Sequence, residues 1–183
     1  STYGEAGETA KAIEALETGL RKTPRDLRML RALASLQSSQ SRDAAALQTL
    51  EALLEIEPTD VTARMDVGLL YQKANRLDDA VSSYRDALRV DPKNFVAHYN
   101  LALIFIRQQK IAEAAQELEA ANTANPGNAE IMERLGDSYA VQNQHAKAIK
   151  AYQAVLDRLP ERAVVLSKLG FSLAAGSCAS VAA

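Results

Sequence analysis

The residues best suited to metal binding or nucleophilic catalysis in this sequence are His98, His145 and Cys178. A zinc site needs several histidine, cysteine or carboxylate ligands at close spacing. The two histidines lie 47 residues apart, and Cys178 is the only cysteine. The sequence therefore predicts no metal site and no internal disulfide, and Cys178 is expected to be an unpaired bystander.

Signatures of enzymes are also missing. The sequence has no G-x-S-x-G nucleophile motif, no glycine-rich phosphate loop and no dinucleotide-binding fingerprint. Carboxylates are plentiful, but acids on solvated helices are ordinary and do not indicate catalysis. We therefore predict a protein that is not an enzyme and uses no cofactor.

Composition and charge exclude further classes of protein. Of the 183 residues, 48% are hydrophobic and 24% are charged, as in an ordinary globular protein. A net charge of −2 gives no field that would attract nucleic acid or an anionic membrane. No signal-peptide pattern and no apolar run of ~20 residues is present. We expect a soluble chain without membrane insertion, whose compartment the sequence leaves undetermined.

Positions that recur at a fixed spacing reveal how the chain is organised. Every proline falls on one 34-residue period: Pro24, Pro58, Pro92, Pro126 and Pro160. Twelve residues before each proline is an alanine: Ala12, Ala46, Ala80, Ala114 and Ala148. Eight residues before it is a large side chain: Leu16, Leu50, Tyr84, Leu118 and Tyr152. Twenty-four residues before it is a small residue: Ala34, Gly68, Ala102 and Gly136. The period predicts units of two helices that pack small residues against large ones.

Predicted helix ends agree with this period. Good N-cap residues follow the first four prolines by two positions: Asp26, Asp60, Asn94 and Asn128. Arg162 breaks this pattern before the last helix. The turn inside each unit is predicted at Gly7, Ser41, Asn75, Gln109 and Asn143, where a left-handed backbone would end the first helix.

The pattern resembles the tetratricopeptide repeat family. Residues 61–94 match its small, aromatic, alanine and proline positions best, with Gly68, Tyr71, Ala80, Tyr84, Ala87 and Pro92. The resemblance implies an all-α, right-handed superhelical solenoid of antiparallel helix pairs. We expect one array over 1–175 with about eleven helices. Its parts are a partial repeat 1–26, repeats 27–60, 61–94, 95–128 and 129–162, and an unpaired helix 163–175.

The two ends of the sequence do not fit whole repeats. Tyr3 occupies the aromatic position of a first helix whose beginning is absent, and a small-residue tail, 176–183, follows the unpaired helix. Solenoid ends normally carry a polar capping face. We expect a piece of a longer array, or else a protein whose uncapped C-terminal helix mediates self-association.

In this family the first helices line a concave groove. The resemblance places the second, fifth, ninth and twelfth residues of each repeat on that surface. Its predicted apolar centre is Met65, Leu69, Tyr99, Leu103 and Ile106. A basic end is predicted at Arg28 and Arg31, and an acidic end at Glu130, Glu133 and Asp137. The other groove positions include Ser35, Ser38 and Val96.

These residues predict a non-catalytic scaffold that binds a peptide or helix of a partner protein in the groove. Apolar burial would supply affinity, and charge would set orientation. The family's carboxylate clamp for chaperone tails does not fit, because Glu130 occupies one of its positions and would repel a carboxylate. The alternative is a structural or recruiting segment of a larger protein, such as an envelope secretion or polysaccharide-export component or a glycosyltransferase.

Overall fold

The computed structural model describes the backbone of residues 2–181 and the side chains of residues 8–176. Regular secondary structure in that range is entirely helical: α1 (Thr2–Lys22), α2 (Leu27–Ser39), α3 (Asp43–Ile56), α4 (Val61–Lys73), α5 (Leu77–Val90), α6 (Phe95–Arg107), α7 (Ile111–Ala124), α8 (Ala129–Val141), α9 (His145–Leu156) and α10 (Ala163–Val181). The all-α prediction is confirmed. The helices form two compact units: unit 1, which ends at Asp91, contains α1–α5, and unit 2, which begins at Pro92, contains α6–α10.

Side-chain caps start four of the helices. The cap residues are Asp26 before α2, Asp60 before α4, Asn94 before α6 and Asn128 before α8. Each side chain accepts hydrogen bonds from backbone N–H groups of the first turn, at 2.9–3.2 Å. These bonds satisfy donors that a helix start leaves without partners. All four predicted caps are therefore confirmed.

Left-handed residues end the first helix of each whole repeat. Their φ angles lie between 56° and 59°, at Ser41, Asn75, Gln109 and Asn143. Because the turn reverses the chain within a few residues, the two helices of a repeat pack against each other. The pairs are α2 with α3, α4 with α5, α6 with α7 and α8 with α9.

The predicted turn at Gly7 is wrong. Helix α1 continues through this residue from Thr2 to Lys22, so the described chain has ten helices rather than about eleven. A glycine permits the left-handed backbone of a turn but does not impose it, and here the helix stays unbroken. The side chain of Tyr3, like that of Cys178, lies outside the described residues.

The last helix is longer than the sequence predicted. Helix α10 begins at Ala163 and extends to Val181, past the expected end at residue 175, because no proline interrupts the small residues there. At its start Arg162 provides no N-cap. Instead, the Arg162 guanidinium forms an ion pair with Glu133, with Nη2 and Oε2 2.9 Å apart.

Each whole repeat is held together by a close approach between its two helices. We call the small residue on the first helix the socket and the large residue sixteen positions later, on the second helix, the knob. The socket and knob pairs are Ala34 with Leu50, Gly68 with Tyr84, Ala102 with Leu118 and Gly136 with Tyr152. All eight residues are buried. A Cβ atom added to Gly68 or Gly136 would lie 2.6 or 2.5 Å from Cε1 of the tyrosine knob, so the two glycines provide space for the rings.

Replacement of Ala80 by leucine tests the packing of the second helices. Ala80 is fully buried in α5, so Ala80→Leu is expected to lower the free energy of unfolding by about 1–3 kcal/mol through overpacking. Ala44→Leu, at an exposed position of α3, is the matched control and should change it by less than about 0.5 kcal/mol. Chemical denaturation monitored by circular dichroism measures both. Equal effects would contradict the assigned packing.

Two glycines in the same register give a second test. Gly136→Ala would drive a methyl group into the ring of Tyr152 and is expected to cost about 1–3 kcal/mol. Gly170 of α10 lies 34 residues later, and a Cβ atom there meets no atom within 4 Å. Gly170→Ala should therefore stabilise the helix by up to about 1 kcal/mol. Thermal and chemical denaturation would contradict this account if both variants lost stability equally.

Candidate functional site

In unit 1 the predicted groove residues lie on α2 and α4. Leu69 is a large apolar side chain that remains 45% exposed, and it lines a cavity of about 390 Å³. Ser35 and Ser38 of α2 line the same cavity. The structure therefore brings together, from two neighbouring repeats, three residues that the sequence placed on one surface. Met65, also predicted there, is half-buried.

The Asp66 carboxyl in this cavity has a raised pKa. Asp66 lines the cavity beside Leu69, and its side chain reaches solvent. Desolvation by the surrounding protein raises the pKa of the Asp66 carboxyl, and the like charge of Asp60 raises it further. A carboxylate in this state gains from a positively charged or hydrogen-bond-donating group that approaches it.

The two arginines predicted at the basic end differ in their surroundings. Arg31 Nη2 lies 2.6 Å from Glu57 Oε2 and 2.5 Å from Asp60 Oδ2. Asp60 also caps α4, so Arg31 joins α2 to the start of the next repeat. Arg28 is exposed on the first turn of α2. Only Arg28 thus presents a cation that is not engaged by these carboxylates.

In unit 2 the predicted apolar residues lie on α6. Val96 is exposed, while Leu103 and Ile106 are half-buried. Tyr99 is also half-buried and packs against the core of unit 2. Its hydroxyl donates a hydrogen bond to Glu130 Oε1 at 2.6 Å.

The Tyr99 contact links two of the predicted groove residues. Burial raises the pKa of the Tyr99 hydroxyl, and the hydrogen bond to the Glu130 carboxylate raises it further, against an opposing effect of Arg134. The protonated hydroxyl therefore acts as a donor at neutral pH. Glu130 is exposed beyond this bond and keeps a free edge toward solvent.

The other two acids of the predicted acidic end form a charge network. Lys168 Nζ of α10 lies 2.9 Å from Glu133 Oε1 and 2.8 Å from Asp137 Oδ2. Burial disfavours the charged ammonium, but the hydrogen bonds and charges of Asp137 and Glu133 outweigh it and raise the pKa of Lys168. Together with Arg162, Lys168 balances both carboxylates, so these acids hold α10 in place and present little net charge.

A second, smaller cavity lies on the same helices. It measures about 240 Å³ and is lined by Glu130, Glu133, Arg134 and Arg162. Its walls are charged with both signs, unlike the cavity at Leu69. A ligand here would be recognised through paired charges and hydrogen bonds, rather than through apolar burial.

The sequence prediction missed three charged residues on these surfaces. Asp66, Arg134 and Lys168 occupy the same position of their first helices, at multiples of the 34-residue period. Each either lines a cavity or bonds to a groove acid. A change of charge sign along one repeat position was the signal that could have identified them.

Among the other candidates for chemistry, His98 has structural surroundings. His98 Nδ1 lies 2.6 Å from Glu117 Oε2, which ties α6 to α7. Within the described residues no cluster of histidine, cysteine and carboxylate side chains could hold a metal ion. The helices described here include none that is long and apolar enough to span a membrane.

Comparison with solved structures identifies the same fold elsewhere. MamA superposes with a TM-score of 0.77 at 18% identity, over 88% of this chain and 95% of that chain. YrrB, described as a TPR protein with an unusual peptide-binding site, has a TM-score of 0.78 at 22% identity, over 90% and 85%. The C-terminal part of a TPR repeat-containing protein from Cytophaga hutchinsonii has a TM-score of 0.80 at 16% identity, over 94% and 68%. At these identities the likeness shows the fold alone.

No curated protein matches the chain significantly. The family model described as "Tetratricopeptide repeat" matches residues 1–61, 66–129 and 105–163. These segments cover most of the sequence and reach into every whole repeat. The chain therefore belongs to the tetratricopeptide repeat family.

Proposed function

We propose that this protein is a non-catalytic interaction scaffold that holds a peptide or helix of another protein against its first helices. The observation that carries the proposal is the cavity at Leu69, where a large exposed apolar side chain lies among polar groups from two repeats. Ligand sites commonly combine apolar walls with a few polar groups that fix orientation. Membership of the repeat family and the described peptide-binding site of YrrB support this proposal.

The lining of the unit 1 cavity suggests what it would bind. Leu69 would contact an apolar side chain of the ligand, and the hydroxyls of Ser35 and Ser38 would hydrogen-bond to its backbone. Asp66 would pair with a lysine, an arginine or a backbone N–H, which would relieve the unfavourable surroundings of its carboxylate. We therefore propose a ligand segment with an apolar residue near a basic one.

The α6 and α8 surface of unit 2 would be a separate contact surface. Val96, Leu103 and Ile106 would bury apolar side chains, and Tyr99 would support them from the core side. Glu130 and Arg134 would add charged contacts at the smaller cavity. Arg28 would guide an acidic portion of the ligand at unit 1. The proposed surfaces also include Met65 and Arg31 in unit 1, and Glu133 and Asp137 in unit 2.

Leu69→Asp tests the proposed cavity. Peptides selected from a random phage-displayed library against the wild-type chain should bind this variant at least about tenfold more weakly, because a charge replaces the apolar wall. Gln48→Asp, at an exposed position of the second helix α3, is the matched control and should leave affinity unchanged. Isothermal titration calorimetry gives both dissociation constants. Selected peptides that bind Leu69→Asp as tightly as wild type would contradict the proposed site.

Asp66→Asn tests whether the charged Asp66 carboxylate lowers the free energy of unfolding. The raised pKa means that the folded state holds a proton on Asp66 more readily than the unfolded chain does. The carboxylate therefore costs stability above its folded pKa, and the cost disappears as pH falls below the unfolded value of 3.8. Asp66→Asn should increase the free energy of unfolding at pH 7 by at most about 1 kcal/mol, since solvent screens the charge.

The pH dependence separates this effect from a general loss of charge. Urea denaturation at pH 7 and at pH 3 should show the Asp66→Asn gain only at the higher pH. Glu14→Gln, at an exposed position of α1, removes the same charge and should show no comparable gain. Asp66→Asn should also weaken the binding of those selected peptides that carry a basic residue. An equal gain in the free energy of unfolding at both pH values would show that the raised pKa of Asp66 is not its cause.

A further inference from the structure

Charged side chains of opposite sign stand at the two ends of the cavity at Leu69. Asp66 and Lys73 both belong to α4, and both line this cavity. Lys73 follows Asp66 by seven positions, so the two residues share one face of α4 and lie about 10 Å apart along its axis. Leu69 and Leu70 lie between them and line the same cavity. Helix α4 therefore presents a negative charge, an apolar patch and a positive charge, in that order.

The wall that α2 contributes to this cavity carries hydroxyl groups. Ser35, Ser38 and Ser39 line it together with Ala34. These side chains carry no charge, and a serine hydroxyl can donate to or accept from a peptide backbone whatever the ligand's side chains are. Discrimination between ligands of different charge therefore depends on α4.

The Lys73 ammonium is only loosely engaged by its own chain. Nζ lies 3.5 Å from Asp43 Oδ1, longer than an ordinary hydrogen bond, and the two side chains are 45% and 40% exposed. Exposed ion pairs of this kind contribute little to stability. Lys168, by contrast, lies 2.9 and 2.8 Å from two carboxylates. Lys73 can therefore turn toward a ligand at small cost, unlike Lys168.

Asp66 is suited to a ligand cation at the other end of the cavity. Desolvation and the like charge of Asp60 both disfavour the Asp66 carboxylate. An approaching cation offsets both effects, because opposite charges stabilise each other most where water is partly excluded. The ligand should thus be basic near Asp66 and acidic near Lys73.

An extended peptide fits this spacing better than a helix does. In an extended chain, residues i, i+2 and i+4 point to the same side and span about 13 Å, and the flexible stem of Lys73 covers the difference from about 10 Å. A helical ligand is about 10 Å wide, so two turns of it occupy roughly 800 Å³. The cavity measures only about 390 Å³.

We propose that the cavity at Leu69 selects extended peptide segments with the pattern basic-x-apolar-x-acidic. Asp66 binds the basic residue, Leu69 contacts the apolar residue and Lys73 binds the acidic residue. The peptide runs in whichever chain direction places its charges opposite these partners. This inference rests on the proposed function and adds to it the acidic ligand residue, the spacing of the three ligand residues and the role of Lys73.

Nine-residue peptides of one designed frame provide the probes. They are acetylated and amidated, so that no terminal charge replaces a side chain, and glycine and serine flank the central five residues. Four central sequences are compared: Lys-Ser-Leu-Thr-Glu, Lys-Ser-Leu-Thr-Lys, Glu-Ser-Leu-Thr-Glu and Lys-Ser-Ser-Thr-Glu. Fluorescence anisotropy gives the dissociation constant of each peptide.

The wild-type chain should bind Lys-Ser-Leu-Thr-Glu about five- to tenfold more tightly than either peptide whose charges have one sign. Each of those peptides replaces one attraction by a repulsion. Lys-Ser-Ser-Thr-Glu should bind about tenfold more weakly than Lys-Ser-Leu-Thr-Glu, because it lacks the apolar contact with Leu69. This last comparison tests the proposed function, and the other two test the present inference.

Variants that reverse one charge should switch the preferred peptide. Asp66→Lys should bind Glu-Ser-Leu-Thr-Glu most tightly, and Lys73→Glu should bind Lys-Ser-Leu-Thr-Lys most tightly. Glu55→Lys and Lys22→Glu change the net charge equally at exposed positions outside the cavity, so they are the matched controls and should keep the wild-type order. A variant that failed to fold would lose all binding and could not switch its preference.

Equal binding of the three leucine-containing peptides to the wild-type chain would overturn this inference. If the peptide without leucine still bound more weakly, the proposed function would stand. An unchanged preference in Lys73→Glu would likewise overturn the role of Lys73. Absence of saturation by all four peptides at millimolar concentration would also overturn the inference, and the library-selected peptides with Leu69→Asp would then show whether the proposed function fails as well.

Discussion

The close approach of two helices within each repeat is the constraint on which the rest of this structure depends. At Gly68 and Gly136 a tyrosine ring occupies the space of a missing methyl group, while Ala34 and Leu50, and likewise Ala102 and Leu118, are buried in the same cores. Because the protein interior is densely packed, the size of one partner fixes the size of the other. The pairing aligns the two helices of a repeat and so fixes which side of the first helix is buried against the second.

Electrostatic contacts join one repeat to the next, and they use some of the charges that a binding surface would otherwise present. Arg31 bonds to Asp60, the cap of the following helix, and Lys168 bonds to Glu133 and Asp137 of the preceding repeat. Pairs of this kind hold helices in register, because leaving a half-buried charge alone is costly. The proposed recognition surfaces are therefore Leu69 with Asp66 in unit 1 and, separately, the α6 surface with Glu130 in unit 2.

The fold was predictable because its signals are local and repeated. Proline, cap and alanine positions recur every 34 residues, and each agrees with the others about where a helix begins or ends. The prediction was wrong at Gly7, through which helix α1 continues without a break. A glycine tolerates both helical and left-handed backbone, so its presence at a turn position does not by itself end a helix.

The sequence by itself determined the helical class, the starts and caps of four helices, and the pairing of small with large residues at Gly68 and Gly136, since all of these follow from neighbours at fixed separations. Only the tertiary structure decided which charges are free. Arg31 and Arg28 look alike in sequence, yet one is engaged by two carboxylates of its own chain. Tyr99 packs against the core and donates to Glu130, and Asp66 lies in a cavity that desolvates it. Such properties depend on side chains from different repeats, whose distances and burial no repeat position specifies.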